Sequence, residues 1–193
     1  MRVLFVCTAN MCRSPMAAAL FVRRLELDED ALPEPVSVAS AGLLPGGYGS
    51  PPEVVAAMAE LDIDLADHRS TEVSPELVEE ADVVLALGRR HAREVVLLEP
   101  PAWERTFTLK EFVRRGEDMG PRGAEEPLPD WLQRLHLGRQ RTALVGSSPD
   151  DDVADPLGGP LDAYRTSARE IAALVDAMAG LLGAPREIRT LLG

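Results

Sequence analysis

Residues 2–25 read "RVLFVCTANMCRSPMAAALFVRRL". Its first six letters, Arg2 to Cys7, are a β-branched and apolar run ending at a turn, the pattern of a strand buried on both faces. From Ser14 the letters change to alanine, leucine and arginine. Ser14 suits an N-cap and Pro15 the first helical position. Strand, tight loop and helix therefore follow each other without a spacer, which is how a parallel α/β fold begins.

The same alternation continues outward. "VSVAS", Val36 to Ser40, predicts a second strand, followed by a glycine-bearing loop. Ser50 and Pro51 open a helix that places Val54, Val55, Met58 and Leu61 on one face. Ser74 and Pro75 repeat that start, and "DVVLALG", Asp82 to Gly88, predicts a third strand. "RRHAREVVLL" is helical in pattern, and "TFTL", Thr106 to Leu109, predicts a fourth strand. Leu161, Tyr164, Ala168, Ile171, Val175, Met178 and Leu182 form a stripe with steps of three and four, the signature of a core helix. The expectation is an α/β fold: one three-layer domain over residues 1–193, with a central four-stranded parallel sheet flanked by helices. Residues 113–153, rich in Gly, Pro and charge, read as an irregular insertion with a short helix around Trp131 to Leu135. Residues 183–193 read as a loose tail. His91 and His136 read as surface residues, Asp150 to Asp152 as a solvated loop, and Trp103 and Trp131 as packing or rim residues.

Thirty-two acidic and 20 basic residues give a net charge of −12, which argues against nucleic acid or an anionic membrane as partner. An anionic substrate would need a locally positive pocket. Two cysteines near the N-terminus make no disulfide framework and suit a reducing cytoplasm. No apolar run has the length of a signal peptide or a membrane span. Three scattered histidines make no metal site.

The loop between the first strand and helix carries the chemistry. Unpaired N–H groups and the helix dipole favour an anion at a helix start. Cys7 lies at the strand end as a nucleophile, and Arg13, six positions later, can close a ring opposite its sulfur and grip two phosphoryl oxygens. The backbone from Thr8 through Ala9, Asn10, Met11 and Cys12 to Arg13 would turn its amides inward on the remaining oxygens, with Asn10 in a left-handed conformation. Ser14 can donate to the Cys7 sulfur. A leaving group needs a proton, and Asp155, aimed by Pro156 in the loop before the last helix, is the candidate general acid.

"VLFVCTANMCRSPMA" resembles the signature of the low-molecular-weight protein tyrosine phosphatases. "ASAG" (Ala39 to Gly42), "DHRS" (Asp67 to Ser70), the "DVVLAL" strand and "FTLKEF" (Phe107 to Phe112) are similar too. The resemblance implies a two-step hydrolysis of phosphomonoesters, with protein phosphotyrosine as substrate, inorganic phosphate as product and no metal or cofactor. Cys7 would form a phosphocysteine while Asp155 acts as acid and then as base, and Arg13 and the loop would hold the phosphoryl group. It further implies that Asn10 and Ser40 brace the loop with His68 in support, and that Cys12 forms a reversible disulfide with Cys7. A monomer or weak dimer is expected.

Three positions depart from the family pattern. Ala9 stands at a usual glycine and Ala18 at a usual glutamate, while Leu157 and Gly158 stand where many relatives carry aromatic residues. Met11 matches the bulky apolar residue of phosphotyrosine-type members, whereas arginine-phosphatase relatives carry threonine. Two alternatives stay open at this point: an arsenate reductase of the same fold using an external small thiol, and a weakly active phosphate-binding regulatory module.

Overall fold

Strand β1 (Arg2–Cys7) is the centre of the molecule, and its alternating side chains divide the core in two. Val3, Phe5 and Cys7 enter the larger core, and Leu4 and Val6 enter a smaller one on the opposite face, as the two-residue period of a strand demands. The computed structural model describes residues 1–27, 32 and 34–183. After β1 come α1 (Arg13–Glu26), β2 (Ser37–Gly42), α2 (Pro52–Ala59), α3 (Pro75–Glu79), β3 (Val83–Ala86), α4 (Arg89–Leu98), β4 (Thr106–Thr108), α5 (Leu109–Met119), α6 (Leu128–His136) and α7 (Leu161–Leu182). The sheet order is β2-β1-β3-β4, and every pairing is parallel. Buried residues of α1, α2, α5, α6 and α7 fill the larger core, while Val78 of α3 and Val95 of α4 cover the other face. The result is the expected three-layer α/β arrangement. The strand order reverses at β1, so the loop after β1 opens into the crevice where ligands of such sheets sit.

Helix α1 begins at Arg13 with Cys12 as its N-cap residue, and Met16 N–H donates to the Cys12 carbonyl at 3.1 Å. Ser14 therefore lies within the first turn and is not the cap. Pro15 is still tolerated, because first-turn amides need no intrahelical acceptor.

Residues 113–153 are not the irregular excursion that their composition predicts. Helix α5 continues to Met119, and α6 buries Leu128, Trp131, Leu132 and Leu135 at helical spacing. Trp131 is fully buried, meets the Phe112 ring edge-on at 5.4 Å and donates its indole N–H to the Gly120 carbonyl at 3.1 Å. Further on, the Arg139 guanidinium lies 4.1 Å from the Trp103 ring centre and 4.0 Å from that of Phe107, and donates to Glu111 Oε1 at 2.7 Å. This segment is fastened into the core by apolar burial and a stacked cation. Both tryptophans are packing residues. Half-buried His136 packs edge-on against Trp103 at 5.2 Å. Of the expected tail, residues 184–193 lie outside the described residues.

In the aspartate run Asp150 is exposed, as expected of a solvated loop, but the two residues after it are not. Asp151 is buried and receives Arg89 Nε at 2.6 Å and Arg114 Nη2 at 2.8 Å. Asp152 accepts the Arg89 amide at 2.6 Å, at the start of α4. Burial pushes the Asp151 carboxyl up, but the hydrogen bonds and charges of Arg114 and Arg89 outweigh it and hold it below the usual range. Asp151→Asn is expected to cost about 2 kcal/mol in urea unfolding, less than for a fully enclosed pair because Arg114 is half exposed. The folded-state value is depressed, so this stabilisation is complete above the unperturbed value of 3.8 and is lost as pH falls through the folded value. The gap between wild type and variant should therefore close in acid.

Candidate active site

The loop after β1 is shaped by where its carbonyls go. Those of Cys7 and Thr8 accept from the amides of Leu43 (3.2 Å) and Leu44 (3.0 Å). The Asn10 carbonyl accepts from His68 Nε2 at 2.7 Å, and that of Cys12 accepts within α1. In a trans peptide the N–H points opposite to the C=O. The amides of Thr8, Ala9, Met11 and Arg13 are thereby turned to the inner side, beside the positive end of α1, a cradle whose chemistry suits an anion.

Asn10 holds the turn. Its φ of 53° is left-handed, a conformation asparagine tolerates, and its side chain is fully buried. Nδ2 donates to Ser14 Oγ at 2.9 Å and Ser40 Oγ at 2.8 Å, and Oδ1 accepts the Thr71 amide at 2.8 Å. Ser40 and His68 thus join the loop brace. Among the described residues, Asn10 and Asp62 are the non-glycine positions with positive φ, so Ala9 carries no such strain.

Gly42 is a supporting residue that the sequence did not single out. A Cβ there would stand 2.6 Å from the Asn10 nitrogen and 2.7 Å from the Ala9 carbonyl carbon. Both are backbone atoms of the cradle and cannot swing aside. Gly42→Ala is expected to lower kcat/KM by about 10²-fold, since small displacements of a positioned site carry such costs. Initial rates and a thermal melt on the same preparation would separate loss of geometry from loss of fold.

Cys7 is buried, with its Sγ 3.0 Å from Ser14 Oγ. Ser14 Oγ already accepts from Asn10, so its proton is available to the sulfur or to the Ala41 carbonyl at 3.2 Å. Cys12 is a free thiol, as is Cys7. Burial, then the proximity of Cys7 and Asp155, pushes the Cys12 thiol up to about 12, so it stays neutral as the helix cap. Arg13 is buried and reaches across the cradle: Nη1 donates to the Val153 carbonyl at 3.1 Å, and Nη2 to Asp155 Oδ2 at 2.6 Å. Its Nε is buried and has no hydrogen-bond partner among the described residues, so a donor is left over on the loop side. Asp155 is half exposed; its Oδ1 accepts the Leu157 amide at 3.2 Å, which fixes the carboxyl beside the loop 142 positions away in sequence. Leu157 is exposed.

His91 departs most from its expected surface position. It is 4% exposed, and its Nε2 lies 2.9 Å from Thr8 Oγ1. Among the described residues no group of three or more His, Cys, Asp or Glu side chains is placed to hold a metal, and no helix is long and apolar enough to cross a membrane.

A thiol and a buried arginine around a ring of inward amides, at the switch point of a parallel sheet, define the class: a cysteine-phosphatase fold. The sequence model for "Low molecular weight phosphotyrosine protein phosphatase" matches residues 2–128, and the chain belongs to this family. It is 37% identical to the protein-arginine-phosphatase of Geobacillus stearothermophilus, covering 92% of this chain and 93% of that one. It is 39% identical to the probable low molecular weight protein-tyrosine-phosphatase EpsP of Ralstonia solanacearum, over 57% of this chain and 71% of the other. The solution structure of a low molecular weight protein tyrosine phosphatase from Bacillus subtilis superimposes with a TM-score of 0.69 at 31% identity, covering 94% of this chain and 97% of that one.

Proposed function

We propose that the protein hydrolyses phosphotyrosine in proteins through a phosphocysteine. The observation that carries this is the convergence of Cys7, Arg13 and Asp155 on one cradle. The substrate dianion takes Arg13 Nη2 from Asp155 and lies on the loop amides of residues 8–13 and the free Arg13 Nε. The Cys7 thiolate attacks phosphorus, the bond to the leaving oxygen breaks, and the Asp155 carboxyl gives that oxygen its proton. Water then attacks the phosphocysteine while Asp155 takes a proton from it. The S–P bond breaks, and inorganic phosphate leaves. Arg13 and the amides hold the equatorial oxygens through both steps. A cytoplasmic setting and a monomer or weak dimer complete the proposal.

Met11, half-buried on the larger core, supports an aromatic substrate, since a thioether packs well on a ring. The 37% identity to a protein-arginine-phosphatase over nearly the whole chain favours a second reading, with phosphoarginine as substrate. Phosphotyrosine peptides and arginine-phosphorylated protein should be assayed side by side without added metal. Phosphotyrosine turnover that falls about 10²-fold or more in Asp155→Asn, with Met11→Thr moving preference toward phosphoarginine, is the expected result. Wild-type protein that hydrolyses phosphoarginine alone would decide for the second reading. Arsenate-dependent thiol oxidation without ester turnover would decide against both.

A further inference from the structure

We infer that His91 is a positioning residue of this site: its imidazole holds the Thr8 hydroxyl, which in turn braces Arg13. The inference rests on the phosphatase reading above.

His91 is the third residue of α4, outside the loop, and its Nε2 reaches Thr8 Oγ1 at 2.9 Å. Arg13 Nη2 approaches the same oxygen at 3.4 Å. His91 Nδ1 is buried and has no hydrogen-bond partner among the described residues. A stranded N–H donor costs more than a stranded ring lone pair, so the proton belongs on Nε2 and is donated to Thr8. Thr8 Oγ1 then accepts from two sides, from His91 and from Arg13. Both lone pairs are occupied, and its own proton is free to be donated to a phosphoryl oxygen lying on the loop.

The surroundings keep the imidazole neutral. Burial first, then Arg13 from the loop and Arg90 on its own helix, push its pKa down to about 4, while Asp152 and Asp155 pull the other way. At neutral pH His91 therefore presents one fixed donor and adds no charge beside Arg13. A methyl group on Gly88 would crowd Asp152 Oδ1 at 2.9 Å and meet His91 Nδ1 only at ordinary contact distance, 3.5 Å, so Gly88 leaves the Asp152 carboxylate its place beside the start of α4.

The test is a coupling cycle read as kcat and KM separately. His91→Leu should lower kcat about tenfold with KM changed less than about twofold, the pattern of an interaction made in the transition state. His91→Gln, which keeps an N–H donor, should recover most of that loss. In a Thr8→Val background His91→Leu should add nothing, because the two residues act as one unit. Fully additive losses, an unchanged kcat in His91→Leu, or no recovery in His91→Gln would overturn the inference. Imidazole 15N shifts of the wild type provide a check independent of turnover and of variant folding. They should show the Nε2–H tautomer at pH 7, and an Nδ1–H tautomer would overturn the inference. A wild type without Cys7-dependent turnover of any ester would overturn the phosphatase reading instead, and the tautomer measurement does not depend on that outcome.

Discussion

Cys7→Ser should eliminate turnover of p-nitrophenyl phosphate and of phosphotyrosine peptides, with a loss on the order of 10⁴-fold or more in kcat. Serine is close in shape to cysteine, so Ser14 and the cradle stay in place around it. What disappears is the nucleophile: at neutral pH a hydroxyl is a far weaker attacker than a thiolate. Inorganic phosphate should still bind, since the amides and Arg13 are untouched, and the melting temperature should move little. This combination separates chemistry from folding. Residual turnover above about one per cent of wild type would remove Cys7 from the mechanism. Phosphate binding lost together with activity would mean that the substitution had damaged the cradle.

Arg13→Lys is the second large effect, expected at about 10²- to 10³-fold in kcat/KM despite the conserved charge. The guanidinium donates from one plane to the Val153 carbonyl, to Asp155 and to Thr8, and its buried Nε has no partner among the described residues. An ammonium is a point charge with no planar fork, and it cannot span Val153 and Asp155 while gripping two phosphoryl oxygens. Asp155 would also lose its anchor to the cradle, so the leaving-group proton should be delivered less well. The diagnostic is leaving-group dependence: poor leaving groups should suffer more than p-nitrophenol in Arg13→Lys. Equal losses across leaving groups would mean that Arg13 binds phosphate without positioning Asp155. A loss under about threefold would remove Arg13 from transition-state binding altogether.

Legibility along the chain followed the range of the interactions. The α7 stripe was readable because a helix repeats its core contacts every three or four residues, and Tyr164, Ala168, Ile171, Val175 and Met178 are all buried as that spacing requires. Residues 128–136 carried the same signal in Leu128, Trp131, Leu132 and Leu135. It gave the short helix expected around Trp131 to Leu135, which α6 contains, while Pro127, Pro129 and Gly138 near its two ends made the surrounding stretch read as irregular. Asp151 and His91 were misplaced for another reason. Their types are usually exposed, and their partners here are distant in sequence: Arg114 and Arg89, 37 and 62 positions from Asp151, and Thr8, 83 positions from His91.

The sequence alone determined the strand–loop–helix start, the α/β class, and the local device in which Cys7, Asn10, Arg13 and Ser14 share one turn, because all of these depend on residues within a few positions of one another. Tertiary structure decided the rest. It brought Asp155 onto Arg13, placed Gly42 against the loop backbone, and set His91 behind Thr8. None of these contacts has a period or a spacing, since they arise where separate strands and helices meet at one edge of the sheet. They become determined only when the sheet order and the packing of α4 and α7 bring those edges together.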